Sequence, residues 1–141
     1  MPLMVFQLFR NDGKNQNNGR PYGGTALYSK VPLQDGYPYR RNIYGIEFTV
    51  VKIDSNNDLI VIGLYRSPTI SVAILCSALI NVIAQDASER NIIIGDFNVN
   101  WMVENQRQPL YNVLVRDNGY KQLISTCTTD NSTIIDLIFE H

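Results

Sequence analysis

A chain of 141 residues with 45 % hydrophobic content has the length and apolar share of one packed domain, which excludes a disordered tail. Its formal charge is -1, and its 12 basic residues are scattered apart from the Arg40-Arg41 pair, so composition argues against tight non-specific binding of nucleic acid without excluding a DNA substrate. The most apolar window, residues 71–84, is shorter than the roughly 20 residues that span a bilayer, so no membrane partner is predicted.

The cysteines and the first residues bear on the cellular setting. Cys76 and Cys127 lack the spacing of a CxxC or zinc motif, and residues 1–10 lack the charged region and cleavage pattern of a signal peptide. We therefore expect an intracellular location, nuclear or cytoplasmic, rather than a secreted one.

The first half of the chain is predicted to consist of strands. Residues 5–10 form a strand that ends at a loop rich in Asn and Gly. Residues 25–30, 44–53 and 59–66 are rich in β-branched and aromatic side chains, and a polar DSNND turn joins the last two as a hairpin.

A helix and a further strand follow Pro68, which cannot continue a strand ladder. Apolar residues at 72, 75, 79, 82 and 83 have helical spacing, and Ser71 can cap the helix. The apolar run IIIGDF then predicts a strand that is buried on both faces. The order strand, helix, strand predicts a βαβ unit.

The remaining residues predict one more helix and two strands. The helix covers residues 108–120, with Pro109 in its first turn and Gly119 as its terminator. The strands lie within residues 120–125 and 132–139. The whole pattern predicts an α/β or α+β sandwich formed by a single domain over residues 1–141.

The stretch NIIIGDFNVNW, residues 91–101, runs from an apolar strand directly into polar side chains. Gly95 has no Cβ, so a ligand or a neighbouring backbone can approach closely where the strand ends. If the chain stays extended, Asp96, Asn98 and Asn100 point to one side and the intervening apolar side chains to the other. A carboxylate beside amides suits phosphoryl chemistry, because it can activate water or hold Mg²⁺. The alternative is a strand that ends in an Asx turn.

The same stretch resembles the GDFN motif of the endonuclease/exonuclease/phosphatase superfamily, especially the endonuclease domains of non-LTR retrotransposons and related mobile-element proteins. Three further stretches resemble family motifs in the same order: GGTALYSK, VIGLYRSP and TTDNSTIIDLIF. The resemblance covers nearly the whole chain. It implies a partial four-layer DNase I-like fold with two mainly antiparallel β-sheets and flanking helices.

Roles for individual residues follow from the resemblance by position. It implies that Asp96 activates the attacking water and is a candidate ligand of Mg²⁺ or Mn²⁺. Tyr65, Asn98 and Asn100 are implied to bind substrate, Tyr65 and Asn98 at the scissile phosphate, and Asp136 is implied to orient a catalytic histidine. From the residues alone, Tyr65 could equally be a half-buried strand aromatic, whereas Asp136 within IIDLIF is predicted to be a buried charge that needs a partner.

Parts of the family pattern are not recognised in this sequence. The family's metal-binding Asn and Glu precede the motifs found here, and its Ser-Asp-His motif follows them, so we expect an incomplete domain that is weak or inactive by itself. His141 is not expected to replace the histidine, because strand alternation over five residues sends it and Asp136 to opposite faces. Glu47 is predicted to be solvated rather than bound to metal.

The resemblance thus implies a metal-dependent endonuclease that hydrolyses phosphodiesters in DNA, with a fused reverse transcriptase or helicase domain as a partner in a parent element. One alternative is a non-catalytic remnant of the fold that binds nucleic acid or another protein. A second is the same fold acting on a phosphoinositide or sphingomyelin headgroup, since fold alone does not define the substrate.

Overall fold

The computed structural model describes the backbone of residues 7–12 and the whole of residues 24–54, 58–87 and 90–141. These residues form a mixed α/β arrangement of strands and two α-helices. The strands are β1 Gln7–Asp12, β2 Gly24–Ser29, β3 Tyr39–Ile43, β4 Ile46–Ile53, β5 Leu59–Tyr65, β6 Asn91–Asp96, β7 Lys121–Gln122 and β8 Asp136–Glu140. The helices are α1 Val72–Asp86 and α2 Glu104–Tyr111, and α2 continues as a π-helical segment, Asn112–Asp117.

Six strands form one sheet in the order β3-β4-β5-β6-β8-β7. Strands β5 and β6 are parallel and joined by α1, which confirms the predicted βαβ unit, and the other neighbours in this sheet are antiparallel. Strands β1 and β2 pair separately as an antiparallel hairpin. The hairpin contacts the sheet through β2, where the hydroxyl oxygens of Thr25 and Thr49 are 2.8 Å apart.

Helix α1 covers one face of the sheet, as its apolar spacing predicts. Leu75, Leu79 and Val82 are fully buried, and they pack with the inward side chains of β4, β5 and β6. The Ser71 side chain accepts a hydrogen bond from the Ile74 N–H, so the predicted cap is confirmed.

Strand β3 was not predicted, and the strand expected at 44–53 begins only at Ile46. A tight turn at Tyr44 and Gly45, with φ of 53° and 85°, joins β3 to β4. Both values are those of a two-residue hairpin turn, whose twist suits antiparallel strands. The sequence YRRNI conceals the strand because its arginines break the apolar alternation.

The second helix differs most from its prediction. It begins at Glu104 rather than near residue 108, so Pro109 lies inside the helix and not in its first turn. The start was missed because its first turn is polar and Val103, at the cap position, supplies no side-chain hydrogen bond. Gly119 follows the π-helical segment with φ of 71°, in agreement with its predicted terminating role.

The strands around the site are less buried or shorter than predicted. In β6, Ile93 is buried in the core, but Ile94 on the opposite face is 38 % exposed, so the prediction of burial on both faces is wrong. Within the described residues, that face is covered by β2 over only part of its width. The two C-terminal strands are shorter than predicted, and residues 5 and 6 of the first predicted strand lie outside the described residues. No helix in the described part of the chain is long and apolar enough to cross a membrane.

Candidate active site

Three of the predicted site residues lie next to one another in a row across the sheet. In the parallel pair of β5 and β6, Tyr65 is the partner of Asp96, and in the antiparallel pair of β6 and β8, Asp96 is the partner of Asp136. Paired residues on neighbouring strands project from the same face of a sheet. Residues that are up to 71 positions apart in the chain therefore present a phenol and two carboxylates side by side.

Glu47 extends this row by one strand, because it is the β4 partner of Tyr65. It is partly buried and projects from the same face as Tyr65, with Tyr65 between it and Asp96. The sequence gives no reason to join Glu47 to this site, since strand order is not encoded in a local pattern. Its position makes it an acidic neighbour of the phenol.

The chain turns directly after Asp96. The Asn98 N–H donates to Oδ1 of Asp96 at 2.9 Å, which is an Asx turn, and Asn98 has a left-handed φ of 49°. The assumption of an extended segment is therefore wrong, and the alternative of an Asx turn is confirmed. The turn brings Asn98 against Asp96, because the hydrogen bond joins the backbone N–H of Asn98 to a side chain only two residues earlier.

Apolar side chains of the same segment anchor it to the core. Phe97 and Val99 are buried, and the ring of Trp101 packs edge-on against Phe139 with centroids 5.4 Å apart. Two backbone hydrogen bonds also tie the segment to the residues before β8. The Phe97 N–H donates to the Ile135 carbonyl at 3.0 Å, and the Trp101 N–H donates to the Ile134 carbonyl. The polar groups at 96 and 98 are thus held by a rigid apolar base.

Asn100 has a different environment. Its Oδ1 accepts hydrogen bonds from the N–H of Met102 at 3.2 Å and of Ile134 at 3.4 Å. The side chain therefore links the loop after β6 to the segment before β8. The predicted contact of Asn100 with substrate stays a prediction.

Asp136 is exposed at the start of β8, so the prediction that it is a buried charge is wrong. The apolar neighbours that suggested burial alternate along the strand, and Leu137 and Phe139 face the core while Asp136 faces outward. The hydroxyl oxygen of Thr128 accepts hydrogen bonds from the N–H groups of Ile135 and Asp136, at 3.1 and 3.2 Å. The threonine-rich turn thereby fixes the backbone that carries the carboxylate.

The surroundings of Asp96 disfavour its charged form. Burial is the main cause that raises the pKa of Asp96 above its ordinary value, and the nearby Asp136 carboxylate raises it further. The Asn98 N–H and the Arg66 charge act in the opposite direction without cancelling the rise. A carboxylate with a raised pKa is a stronger base, which suits proton abstraction from water.

We expect Asp96→Asn to raise the melting temperature at pH 7. The substitution removes a charge that the folded protein disfavours, and the amide oxygen can still accept from the Asn98 N–H. A carboxyl group with a raised folded pKa binds its proton more tightly in the folded state, so wild-type stability rises as pH falls through that pKa. Melting curves of both proteins from pH 7 to pH 3 should therefore converge at low pH. An equal difference at every pH would contradict the account.

Arg66 was missed as a site residue, although it contacts the whole turn. It is 5 % exposed, and its Nε donates to the Phe97 carbonyl at 2.6 Å and one of its terminal nitrogens to the Asn98 carbonyl at 2.5 Å. The Asn98 side-chain amide donates in return to the Arg66 carbonyl at 2.7 Å. In the sequence, a charged residue between an apolar strand and Pro68 is only a weak indication of a site. The groups that Arg66 binds are backbone carbonyls, which every residue type has.

His141, the one histidine of the chain, lies at the opposite end of the sheet. Its N–H donates to the carbonyl of Asn91, the first residue of β6, whereas Asp96 is the last, and its ring lies 5.1 Å from that of Tyr120. His141 thus lies away from Asp136, and the expectation that it does not replace a catalytic histidine stays a prediction.

Metal ligands are few at this site. Among the described residues no group of three or more His, Cys, Asp or Glu side chains could hold a metal ion. The carboxylates of Asp96 and Asp136 are cross-strand neighbours, and carboxylate oxygens are the kind of ligand that Mg²⁺ takes from proteins.

Comparison with known proteins identifies the fold. No protein-family model matches the chain, and no curated protein sequence matches it. Among solved structures, an endonuclease/exonuclease/phosphatase family protein from Leptotrichia buccalis C-1013-b is similar to it with a TM-score of 0.65 and 15 % identity, over 98 % of this chain and 61 % of that one. The endonuclease domain of TRAS1, a telomere-specific non-LTR retrotransposon, is similar with a TM-score of 0.69 and 16 % identity, over 95 % of this chain and 64 % of that one.

A third similar structure is an endonuclease/exonuclease/phosphatase family protein from Bacteroides thetaiotaomicron, with a TM-score of 0.55 and 12 % identity, over 94 % of this chain and 60 % of that one. The chain thus spans less than two thirds of the length of each of these three proteins. Identities this low are evidence of shared structure alone. The protein therefore has the fold of endonuclease/exonuclease/phosphatase proteins, including that of a retrotransposon endonuclease domain.

Proposed function

We propose that this chain carries part of a metal-dependent endonuclease site that hydrolyses phosphodiester bonds in DNA. The observation that supports this proposal is the row of Tyr65, Asp96 and Asp136, with Asn98 turned onto Asp96 at the end of the parallel strands. Open α/β sheets commonly carry their sites at the carboxyl ends of parallel strands. The similarity of fold to a retrotransposon endonuclease domain supports DNA as the substrate.

Asp96 is proposed to act on the attacking water. Its ionised carboxylate accepts a hydrogen bond from the water and removes a proton as the oxygen attacks phosphorus. The neighbouring charge of Asp136 makes Asp96 more basic, since it is among the causes that raise the pKa of Asp96. In this chain, Asp136 is therefore assigned an electrostatic role, because the histidine that it would orient by family resemblance is not among its described neighbours.

Tyr65 and Asn98 are proposed to bind the phosphate. The phenol of Tyr65 belongs to the same row as Asp96, and its O–H can donate to a phosphate oxygen. The Asn98 amide uses one N–H on the Arg66 carbonyl and has a second to donate. Donors fixed in advance stabilise the negative charge that develops on the phosphate during attack.

Mg²⁺ or Mn²⁺ is the cation that the donor set fits, with Asp96 as the proposed protein ligand. Oδ1 of Asp96 accepts a hydrogen bond from the Asn98 N–H at 2.9 Å, and Oδ2 is the oxygen proposed to bind the cation. When bound, the cation would supply charge stabilisation for the oxygen that leaves phosphorus.

The whole domain is proposed to be the four-layer DNase I-like sandwich with two mainly antiparallel sheets, of which residues 1–141 form one partial domain. The exposed face of β6 and the β1–β2 hairpin above it fit a second sheet that packs there. A fused reverse transcriptase or helicase domain in the parent element remains part of this proposal.

A nicking assay tests the proposed function. We expect the purified chain to convert supercoiled plasmid to the open circular form only slowly with Mg²⁺ or Mn²⁺, and EDTA to stop the reaction. Plain duplex, abasic DNA and a phosphoinositide should be compared at equal concentration. Intact plasmid at high protein concentration would reject catalysis by this chain, and cleavage of the lipid alone would reject DNA as the substrate.

A non-catalytic role in binding nucleic acid is the second candidate. It is favoured by the finding that the described residues contain no cluster of three or more metal-ligating side chains. Retarded migration of a DNA duplex without nicking, in the presence of Mg²⁺, would support this candidate over the first.

A further inference from the structure

The Arg66 side chain connects two loops that border the candidate site. Two of its nitrogens donate to the carbonyls of Phe97 and Asn98, in the loop after β6. The third donates to the carbonyl of Ile70, in the loop that leads into α1. A planar guanidinium presents its donors in a fixed fork, which an ammonium group cannot reproduce. Arg66 therefore fixes the relative position of both loops.

The backbone of Arg66 contacts the same turn. Its N–H donates to the Asp96 carbonyl at 3.0 Å, and its carbonyl accepts from the Asn98 side chain. Arg66 thus contacts three successive residues of the turn, 96, 97 and 98. These bonds surround the left-handed backbone of Asn98, a conformation that non-glycine residues keep only where their surroundings hold it.

The orientation of the Asp96 carboxylate depends on this turn. Its Oδ1 is held by the Asn98 N–H, and the direction of that N–H follows from the backbone conformation of Asn98. If the guanidinium were absent, one buried and two partly buried carbonyls would lose their donor and the turn would be free to relax. A relaxed turn would release the carboxylate from its fixed direction.

We propose that Arg66 is a positioning residue that fixes the Asx turn and thereby aims the Asp96 carboxylate at the attacking water. The expected effect of Arg66 on the rate rests on the proposed phosphodiesterase function. Its expected effect on the turn rests on geometry alone. Arg66 itself contacts backbone carbonyls rather than substrate. Its loss should therefore lower kcat and leave KM for DNA within a few fold.

Hydrogen exchange of the Asn98 amide tests the effect on the turn in the intact chain. In Arg66→Lys we expect the backbone N–H of Asn98 to exchange at least about tenfold faster. This is the change that follows from loss of a charge-assisted hydrogen bond. The core amide of Ile93 should keep its wild-type rate. Arg41→Lys is the matched control, because Arg41 forms an ion pair at 2.9 Å with Asp86 at the far end of α1, and it should leave both amides unchanged.

Plasmid nicking tests the effect on rate. Where the wild-type chain nicks, Arg66→Lys should reduce kcat by about 10²-fold, the loss that misplacement of a reacting group produces, while Arg41→Lys keeps wild-type kcat. If the wild-type chain does not nick, the proposed function fails, and the exchange rates still decide whether Arg66 fixes the turn.

Two results would overturn the inference. One is an Asn98 amide that exchanges at the wild-type rate in Arg66→Lys, and the other is equal acceleration of Asn98 and Ile93, which would show a general structural role. If Arg66→Lys does not fold, the wild-type protein provides the test. Its Arg66 Nε–H should give a slowly exchanging NMR signal with a coupling across the hydrogen bond to the Phe97 carbonyl, and the lack of that coupling would end the proposal.

Discussion

Replacement of Gly95 by alanine is expected to destabilise the protein by about 3 kcal/mol or more, because overpacking and backbone strain add at this position. A Cβ built on Gly95 would lie 1.9 Å from the backbone carbonyl oxygen of Leu64, its partner on β5. Backbone atoms of a central sheet cannot move aside as a flexible side chain can. Gly95 also has a φ of 156°, which L-residues rarely adopt. Urea unfolding monitored by circular dichroism measures the loss.

Gly63→Ala is the matched control for this substitution. Gly63 lies one strand away, as the β5 partner of Ile94, and a Cβ there would meet only the Thr49 carbonyl oxygen at an ordinary 3.8 Å. We expect a change within about 0.5 kcal/mol, the usual size where no clash arises. Similar losses of stability for the two substitutions would show that the close approach of β5 to β6 does not require a glycine at position 95.

Replacement of Asp96 by alanine is expected to reduce the rate of plasmid nicking by about 10³-fold, within the range for loss of a general base. The reason is that no other carboxylate lies at the centre of the row, since Asp136 and Glu47 are one and two strands away. DNA affinity should stay within a few fold, because Tyr65 and Asn98 are unchanged. Single-turnover nicking at saturating protein separates the two quantities.

Asp117→Ala serves as the control for this loss of rate. Asp117 is an exposed aspartate paired with Arg116 at 2.7 Å, at the end of the π-helical segment. It should keep the wild-type nicking rate. Equal rates for Asp96→Ala and the wild type, with an intact fold, would remove Asp96 from the mechanism.

Local patterns predict the elements of this fold well where side chains alternate between core and solvent. The β4–β5 hairpin and α1 follow from such patterns. Pro68 marks the end of the strand and Ser71 the start of the helix. Strand β3 and the start of α2 do not, because their residues are largely polar and tertiary packing supplies the stabilisation.

The site divides in the same way. The GDFN stretch shows by itself that a carboxylate and amides stand at the end of an apolar strand. Its neighbours Tyr65 and Asp136 join it only through the order of the strands, which depends on long-range pairing and not on local periodicity. The family resemblance implied only that these residues act together. The role of Arg66 could not be predicted for a further reason. Its partners are backbone carbonyls, and every residue type has one, so no sequence pattern marks them.

The exposure of Asp136 illustrates a limit of reasoning from composition. Its neighbours in IIDLIF are apolar, and this favoured burial. The strand is covered on one face by the core, while the described residues leave Asp136 accessible on the other. Its value to the site therefore comes from its charge beside Asp96 rather than from a buried ion pair.

Mapping where DNA binds tests directly whether Tyr65, Asp96, Asn98 and Asp136 form one site. We would titrate a short duplex into the ¹⁵N-labelled chain with Ca²⁺ in place of Mg²⁺ and follow the amide signals. We expect the largest shifts at Tyr65, Asp96, Asn98 and Asp136. Shifts concentrated at Asn91, Tyr120 and His141, at the opposite end of the sheet, would contradict this expectation.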